Sequence, residues 1–216
     1  MNKIIALLSI STILFTSYAQ DSKINVGIEA GIIRSFPWAE DVSDASNPLY
    51  SVSPGINIEY ILIPVFSLKT GLIYEKKGWS TEYFFVDTDG YPIGAREYTT
   101  NFDYLTIPLL LSYSTKGKIC FYVNSGIYIG FLLSNNVILS AYGDHSESVV
   151  DVSEDTKRID FGLSIGCGLS IPIGQKFGFD FGLRDNIGMI DMFIPENNSK
   201  ARFNTLGLIM SMKYRL

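Results

Sequence analysis

The feature that most constrains this chain is a period-two alternation of apolar and polar residues. It is clearest from Ile159 to Ile171, where every second residue is apolar and the residues between them are Asp, Gly or Ser. Successive residues of a β-strand point to opposite faces, so this pattern gives a strand one apolar and one polar face. A helix of the same sequence would have no apolar stripe. The segment therefore predicts a strand.

The same alternation recurs along the chain and predicts about eight strands. Their apolar faces start near Ile24, Val52, Phe66, Leu105, Phe121, Ile159, Phe177 and Leu206. Bacterial single-chain barrels have an even number of antiparallel strands. We therefore predict an all-β fold, an eight-stranded antiparallel up-and-down transmembrane β-barrel, with both chain ends on the periplasmic side.

The connections between the predicted strands alternate in length. Short joins lie at 63–64, 115–117 and 172–174, and long polar loops occupy 34–49, 80–97, 135–157 and 190–200. One end of the molecule then carries short turns and the other carries long loops, which is the asymmetry of an outer-membrane barrel. We expect the loops near Asp89, His145 and Asn197 to face the outside of the cell.

Alternation alone does not decide whether the apolar face meets lipid or a core, and a soluble lipocalin-like barrel or a sandwich is the alternative. Lipid is favoured because aromatic residues lie near both strand ends, as in interfacial girdles. Glycines also crowd the polar face, where a narrow barrel needs small residues. The mean hydropathy of +0.20 agrees with an apolar exterior.

The polar faces carry charges of both signs, Glu75, Lys77 and Asp160 among them, which we expect to lie in the lumen. The predicted lumen charge network consists of Glu29, Glu59, Lys69, Asp180, Arg184, Lys213 and Arg215. Charges inside a narrow barrel are costly unless they are paired. We predict a mixed-charge plug that closes the barrel, and the alternative is a hydrated lumen in which each charge keeps its water.

The first 19 residues have the layout of a secretory signal peptide. One early base, Lys3, precedes an apolar run from Ile4 to Phe15, and small residues lead to Ala19. This run is too short for a membrane-spanning helix, which needs about 20 residues. We expect cleavage after Ala19, which leaves residues 20–216 as one barrel domain.

Five segments together resemble the porin-like outer-membrane β-barrel family of the PorT-like kind, found in Gram-negative bacteria. They are GLIYEKKG at 71–78, YLTIPLLL at 104–111, NSGIYIG at 124–130, DFGL at 160–163 and KYR at 213–215. The resemblance implies a location in the bacterial outer membrane and an eight-stranded fold, but no agreed substrate. Some relatives look like accessory parts of secretion systems. The chain departs from the family pattern at Thr106, where Glu is usual, and at Leu216, where an aromatic residue is usual.

The sequence offers little for catalysis or for metal binding. Its only histidine, His145, has no recognisable nucleophile motif nearby, so we expect no enzyme activity. One histidine and two cysteines, Cys120 and Cys167 on opposite strand faces, give neither a zinc site nor a disulfide. Acidic loop residues could bind divalent cations, but solvated loops are often acidic and no EF-hand spacing is present. We expect no cofactor and, with a net charge of -5, no nucleic-acid partner.

Aromatic residues in the predicted loops are the strongest sign of a partner. The candidates for such loop contacts are Trp38, Trp79, Tyr83, Phe84, Phe85 and Tyr91. Alternatively, they rest on the rim or dip into the headgroup layer. We predict a non-enzymatic barrel, structural or partner-binding through its long extracellular loops, whose partner is an envelope protein or a surface ligand. It would also contact outer-membrane lipid and, during biogenesis, the barrel-assembly machinery. The alternatives are a small passive porin-like conduit and an accessory component of a secretion system.

Overall fold

The computed structural model describes residues 23–39, 46–86, 88–89, 92–141, 146–193 and 201–216. These ranges contain nine strands: β1 (Ile24–Ala39), β2 (Ser46–Ile63), β3 (Phe66–Val86), β4 (Pro92–Ser114), β5 (Cys120–Leu139), β6 (Ser148–Asp151), β7 (Ile159–Ile173), β8 (Phe177–Gly188) and β9 (Ala201–Arg215). Within them, no helix is long and apolar enough to cross a membrane. The predicted signal peptide, Tyr91, His145 and Asn197 lie outside the described ranges.

Eight of the nine strands form a closed antiparallel ring. Each strand pairs with the next one along the chain, β5 pairs directly with β7, and β9 pairs with β1 to close the ring. The ninth, β6, is a strand of four residues that pairs with the far end of β5. Closure gives every strand of the ring a hydrogen-bonded neighbour on both sides, as a membrane-spanning sheet requires. The predicted eight-stranded barrel is thus confirmed.

The strand faces lie as the alternation predicts. On β1, Ile28 and Ile32 point outward and are 65% and 59% exposed, whereas Glu29 and Ile33 point inward and are 8% and 3% exposed. Apolar residues therefore cover the outside of the ring, and polar residues dominate its inside.

The inward-facing glycines make room for large lumen side chains. Tyr122 of β5 lies over Gly168 and Gly182, and a Cβ added at either glycine would collide with the tyrosine hydroxyl. A narrow eight-stranded barrel can therefore contain a tyrosine at this level because two neighbouring strands carry no side chain there.

The two ends of the barrel differ in their connections. At the short-turn end, β2 and β3, β4 and β5, and β7 and β8 are joined by short turns. The last of these turns contains Gly174 with a φ of +63°, a left-handed conformation that favours glycine. The other end, which we call the long-hairpin end, carries the extended β3–β4 hairpin and the long segment at 140–158 that joins β5 to β7.

The strands at the long-hairpin end are longer than predicted, which corrects three of the loop assignments. Much of 34–49 and of 80–97 is strand, because β1 continues to Ala39 and β3 continues to Val86. The predicted loop 135–157 contains the end of β5 and the whole of β6. Sequence alternation fades toward the tip of the β3–β4 hairpin because both faces of a hairpin that projects beyond the ring meet water.

Among the described residues, the end of the β3–β4 hairpin projects beyond the neighbouring strands of the ring. The ladder between β2 and β3 ends at Thr81, and the ladder between β4 and β5 ends at Tyr98. Beyond these points, residues 82–86 and 92–97 pair with each other as a two-stranded ribbon, here called the β3–β4 ribbon.

Candidate functional site

The lumen contains three clusters of paired charges, and the first lies nearest the short-turn end. Its two carboxylates, Glu59 and Asp180, alternate with the two ammonium groups of Lys69 and Lys213. Lys213 Nζ lies 3.0 Å from Glu59 Oε2 and 2.9 Å from Asp180 Oδ2. Lys69 Nζ lies 3.4 Å from Asp180 and 3.8 Å from Glu59. Each lysine therefore bridges both carboxylates, and the cluster ties β2, β3, β8 and β9 together across the lumen.

The second cluster lies further into the barrel and centres on one arginine. Arg184 Nη1 donates to Glu29 Oε1 at 2.7 Å, and Nη2 reaches Glu29 Oε2 at 3.3 Å. Asn57 Nδ2 donates to the same Glu29 Oε2 at 3.0 Å and to Ser211 Oγ at 2.9 Å. The forked contact suits a planar guanidinium, and a lysine could not reproduce it.

The third cluster is the most buried and surrounds Lys77. The Lys77 side chain is 0% exposed, and its Nζ lies 2.8 Å from Asp160 and 3.3 Å from Glu75. Thr106 Oγ1 donates to Glu75 at 2.7 Å, and Tyr128 Oη donates to Asp160 at 3.2 Å. Sequence reasoning placed the three charged residues on the polar face but left them out of the predicted network. Thr106, which departs from the family pattern, provides a hydroxyl donor to the cluster.

An apolar cluster covers the third charge cluster on the side of the long-hairpin end. It contains Phe102, Met192, Ala201 and Phe203, with Trp79 packed against it. The Trp79 ring stacks on Phe102 with 5.6 Å between centroids. The prediction of Trp79 as a loop contact is therefore wrong. It lies on β3 and packs inside the ring, because the strand continues past the point at which we predicted a loop.

The structure brings together six of the seven predicted network residues, in the first two clusters. The seventh, Arg215, is exposed at the end of β9 and forms no ion pair with any described residue. The prediction that Arg215 belongs to the network is wrong. Alternation predicts which face a residue lies on, but it does not show that the strand ends at Arg215. Without Arg215 the lumen clusters contain four cations, Lys69, Lys77, Arg184 and Lys213, and five carboxylates, Glu29, Glu59, Glu75, Asp160 and Asp180.

Four of the predicted partner-contact residues lie exposed at the long-hairpin end, on β1 and on the β3–β4 ribbon. Trp38, near the end of β1, is 68% exposed. Tyr83, Phe84 and Phe85 lie on the β3–β4 ribbon and are 55%, 65% and 38% exposed.

Little space remains between the first two charge clusters. The cavity that they line, together with Tyr122, has a volume of about 40 Å³. That is room for about three water molecules, since one needs roughly 10–15 Å³ measured in this way. Within the described ranges, no group of three or more His, Cys, Asp or Glu residues is arranged to bind a metal ion. The arrangement neutralises buried charge and leaves no room for a larger solute at this level.

Comparison with solved structures shows the same fold in a neisserial surface protein. Neisserial surface protein A has a TM-score of 0.51 at 16% identity, with 90% of this chain and 98% of that chain covered. Two further structures are similar at a TM-score of 0.44. Ail of Yersinia pestis, in complex with the heparin analogue sucrose octasulfate, has 12% identity, with coverages of 90% and 99%. The outer membrane protease OmpT from Escherichia coli has 13% identity, with coverages of 93% and 98%.

Identities this low show the fold alone, and no curated protein sequence matches the chain. The family model described as "outer membrane protein beta-barrel domain" matches residues 18–193. Together with the closed eight-stranded ring and its apolar exterior, this match shows that the chain belongs to the outer membrane protein β-barrel domain family and resides in the bacterial outer membrane.

Proposed function

We propose that this protein is a non-enzymatic barrel that binds a partner outside the cell through its long-hairpin end. The observation that carries the proposal is the combination of a filled lumen with exposed aromatic residues on the β3–β4 ribbon. In this account the ion-paired lumen makes the ring a rigid support. The projecting strands then form the binding surface.

The aromatic residues of the ribbon favour a protein or another surface ligand over lipid headgroups. Phe84 lies eight residues beyond Lys76, the last outward-facing charged residue on β3 before the ribbon. At roughly 3.3 Å per residue, this is about 26 Å along the strand, which supports a position for Phe84 beyond the headgroup layer even with the usual strand tilt. Tyr83 packs edge-on against Tyr98 with 4.9 Å between centroids, which restricts its motion. Large, rigid aromatic side chains exposed to water are typical anchors for a partner.

The filled lumen disfavours the alternative of a passive conduit. Every cation in the three clusters contacts a carboxylate, and their side chains are between 0% and 15% exposed. A solute would have to break these pairs and then displace the apolar cluster around Phe102 and Phe203. A role as an accessory component of a secretion system fits the proposal, since such a component also acts by binding another envelope protein.

Photo-crosslinking in intact cells tests the proposal. A benzoylphenylalanine replaces Phe84 or Trp38, and the matched control carries it at Phe179, an outward-facing residue near the short-turn end that is 44% exposed. We expect a discrete adduct from Phe84 or Trp38 that is absent from the Phe179 control, with mass spectrometry identifying the partner. Identical adduct patterns at all three positions, or no adduct from either projecting position, would contradict partner binding at the long-hairpin end.

A further inference from the structure

Asp185 is an acidic residue on the lipid-facing surface of the barrel. Asp185 of β8 points outward, between Leu183 and Ile187 on its own strand. Its neighbours across the two ladders are Ile165 of β7 and Leu206 of β9. Asp185 also lies at the edge of an apolar groove of about 460 Å³ on this outer surface. An ionisable residue among lipid-facing side chains is a candidate site by default, because leaving it unpaired there is unfavourable.

A second outward-facing acid, Asp103, has hydrogen-bond and ion-pair partners within the barrel. Asp103 of β4 accepts hydrogen bonds from Tyr74 Oη at 2.5 Å and Ser134 Oγ at 2.8 Å. Lys76 Nζ lies 3.9 Å from the same carboxylate. The Asp185 side chain, in contrast, has no hydrogen bond or ion pair with any residue that the structure describes. A partner for Asp185 would therefore come from outside these residues.

The complementary charge lies two strands away on the same outer surface. Arg34 of β1 is exposed, and it pairs across the ladder with Leu206, which in turn pairs with Asp185. The Arg34 guanidinium lies 5.0 Å from the centroid of the Phe36 ring and forms no ion pair with a described residue. Leu206 therefore lies between an acid and a base, neither of which forms an ion pair with a residue in the described ranges.

We propose that two copies of this protein associate in the membrane through the outer surface of β8, β9 and β1. A two-fold axis along the membrane normal that passes beside Leu206 would place β8 of one copy opposite β1 of the other. Asp185 of each copy then pairs with Arg34 of its partner, and the arginine stem packs along the apolar groove. A second copy fits this surface because the surface contains both charges. Asp185 and Arg34 lie on opposite sides of Leu206, so the two-fold axis brings each charge to the opposite charge of the other copy.

Cysteine crosslinking in outer-membrane vesicles tests the geometry. In a background with Cys120→Ser and Cys167→Ser, Leu206→Cys places a thiol beside the proposed axis. The control is Leu109→Cys on β4, the strand opposite β9 in the ring, where the side chain is 51% exposed. We expect disulfide-linked dimers from Leu206→Cys and not from Leu109→Cys. Equal crosslinking at both positions would mean random collision and would overturn the proposal.

Charge reversal tests whether the pairing is between copies. Asp185→Arg alone and Arg34→Asp alone should each reduce crosslinking at Leu206 by about tenfold or more, because like charges then face each other. Co-expression of the two variants with different tags should restore it, since their mixed dimer contains two opposite-charge pairs. Failure of co-expression to restore crosslinking, or an unchanged level in the single variants, would overturn the proposal.

Folding of each variant is checked by its heat-dependent gel mobility. If a reversal variant does not assemble, the neutral variants Asp185→Asn and Arg34→Gln replace it. Each should also lower crosslinking at Leu206, because each removes one partner of both proposed pairs. Crosslinking equal to that of the unreversed chain in both neutral variants would overturn the proposal.

Discussion

Lys77 and Lys76 offer the most direct test of the ion-paired lumen, because they are neighbours on β3 that point to opposite faces. Lys77→Met keeps the length of the side chain but removes its charge, which leaves Glu75 and Asp160 buried without their cation. Removing one partner of a buried ion pair destabilises a protein by about 3–5 kcal/mol. At 1.4 kcal/mol per factor of ten, the folding equilibrium should shift by roughly a hundredfold to several thousandfold.

The matched control is Lys76→Met. Lys76 is 41% exposed and lies 3.9 Å from Asp103, so the change should cost at most about 1 kcal/mol. Urea unfolding in phospholipid vesicles, followed by tryptophan fluorescence, measures both variants against the unaltered chain. Combining Lys77→Met with Glu75→Gln and Asp160→Asn should recover much of the loss, because no unpaired charge then remains buried. Equal unfolding midpoints for the two single variants would refute the reasoning and indicate a hydrated lumen.

Three further predictions concern other parts of the chain. Arg184→Lys should destabilise the barrel in the same unfolding assay, since an ammonium cannot reproduce the forked contact, and stability equal to the unaltered chain would contradict it. Trp79→Ala should lower stability by about 3–5 kcal/mol, whereas Trp38→Ala should leave it nearly unchanged; similar losses would mean that Trp79 is not part of the interior packing. A cysteine at Asp89 should react with a membrane-impermeant maleimide on intact cells and one at Lys116 should not; the reverse pattern would mean that the long-hairpin end faces the periplasm.

Alternation predicted the ring because each membrane strand has one face toward lipid and one toward the lumen. The segment from Ile159 to Ile171 shows this most clearly, and it forms β7 within two residues of the predicted end. Alternation no longer predicts strands in segments where the two faces meet the same environment. The β3–β4 ribbon meets water on both faces, so its residues have no period and were predicted as loop. Arg215 has the position of a lumen-facing residue in the alternation, but it lies where the strand leaves the barrel.

The pairing of the lumen charges could not be predicted from the chain alone. Lys77 and Asp160 are 83 residues apart in sequence and meet only because the ring closes with a particular register. The alternation predicts that both residues face the lumen. It does not predict how far along the barrel axis each residue lies. Trp79 was missed for a related reason, since its place inside the ring depends on how far β3 continues beyond the membrane.

Conductance of the refolded protein in planar lipid bilayers tests the central claim, that the lumen is closed by paired charges. The barrel is reconstituted at high protein density in 1 M salt, and folded insertion is verified by heat-dependent gel mobility. We predict no current steps above those of protein-free bilayers, because the clusters around Lys213, Arg184 and Lys77 leave only about 40 Å³ of open space between the first two of them. Reproducible, long-lived current steps from the unaltered chain would contradict the claim and favour a conduit.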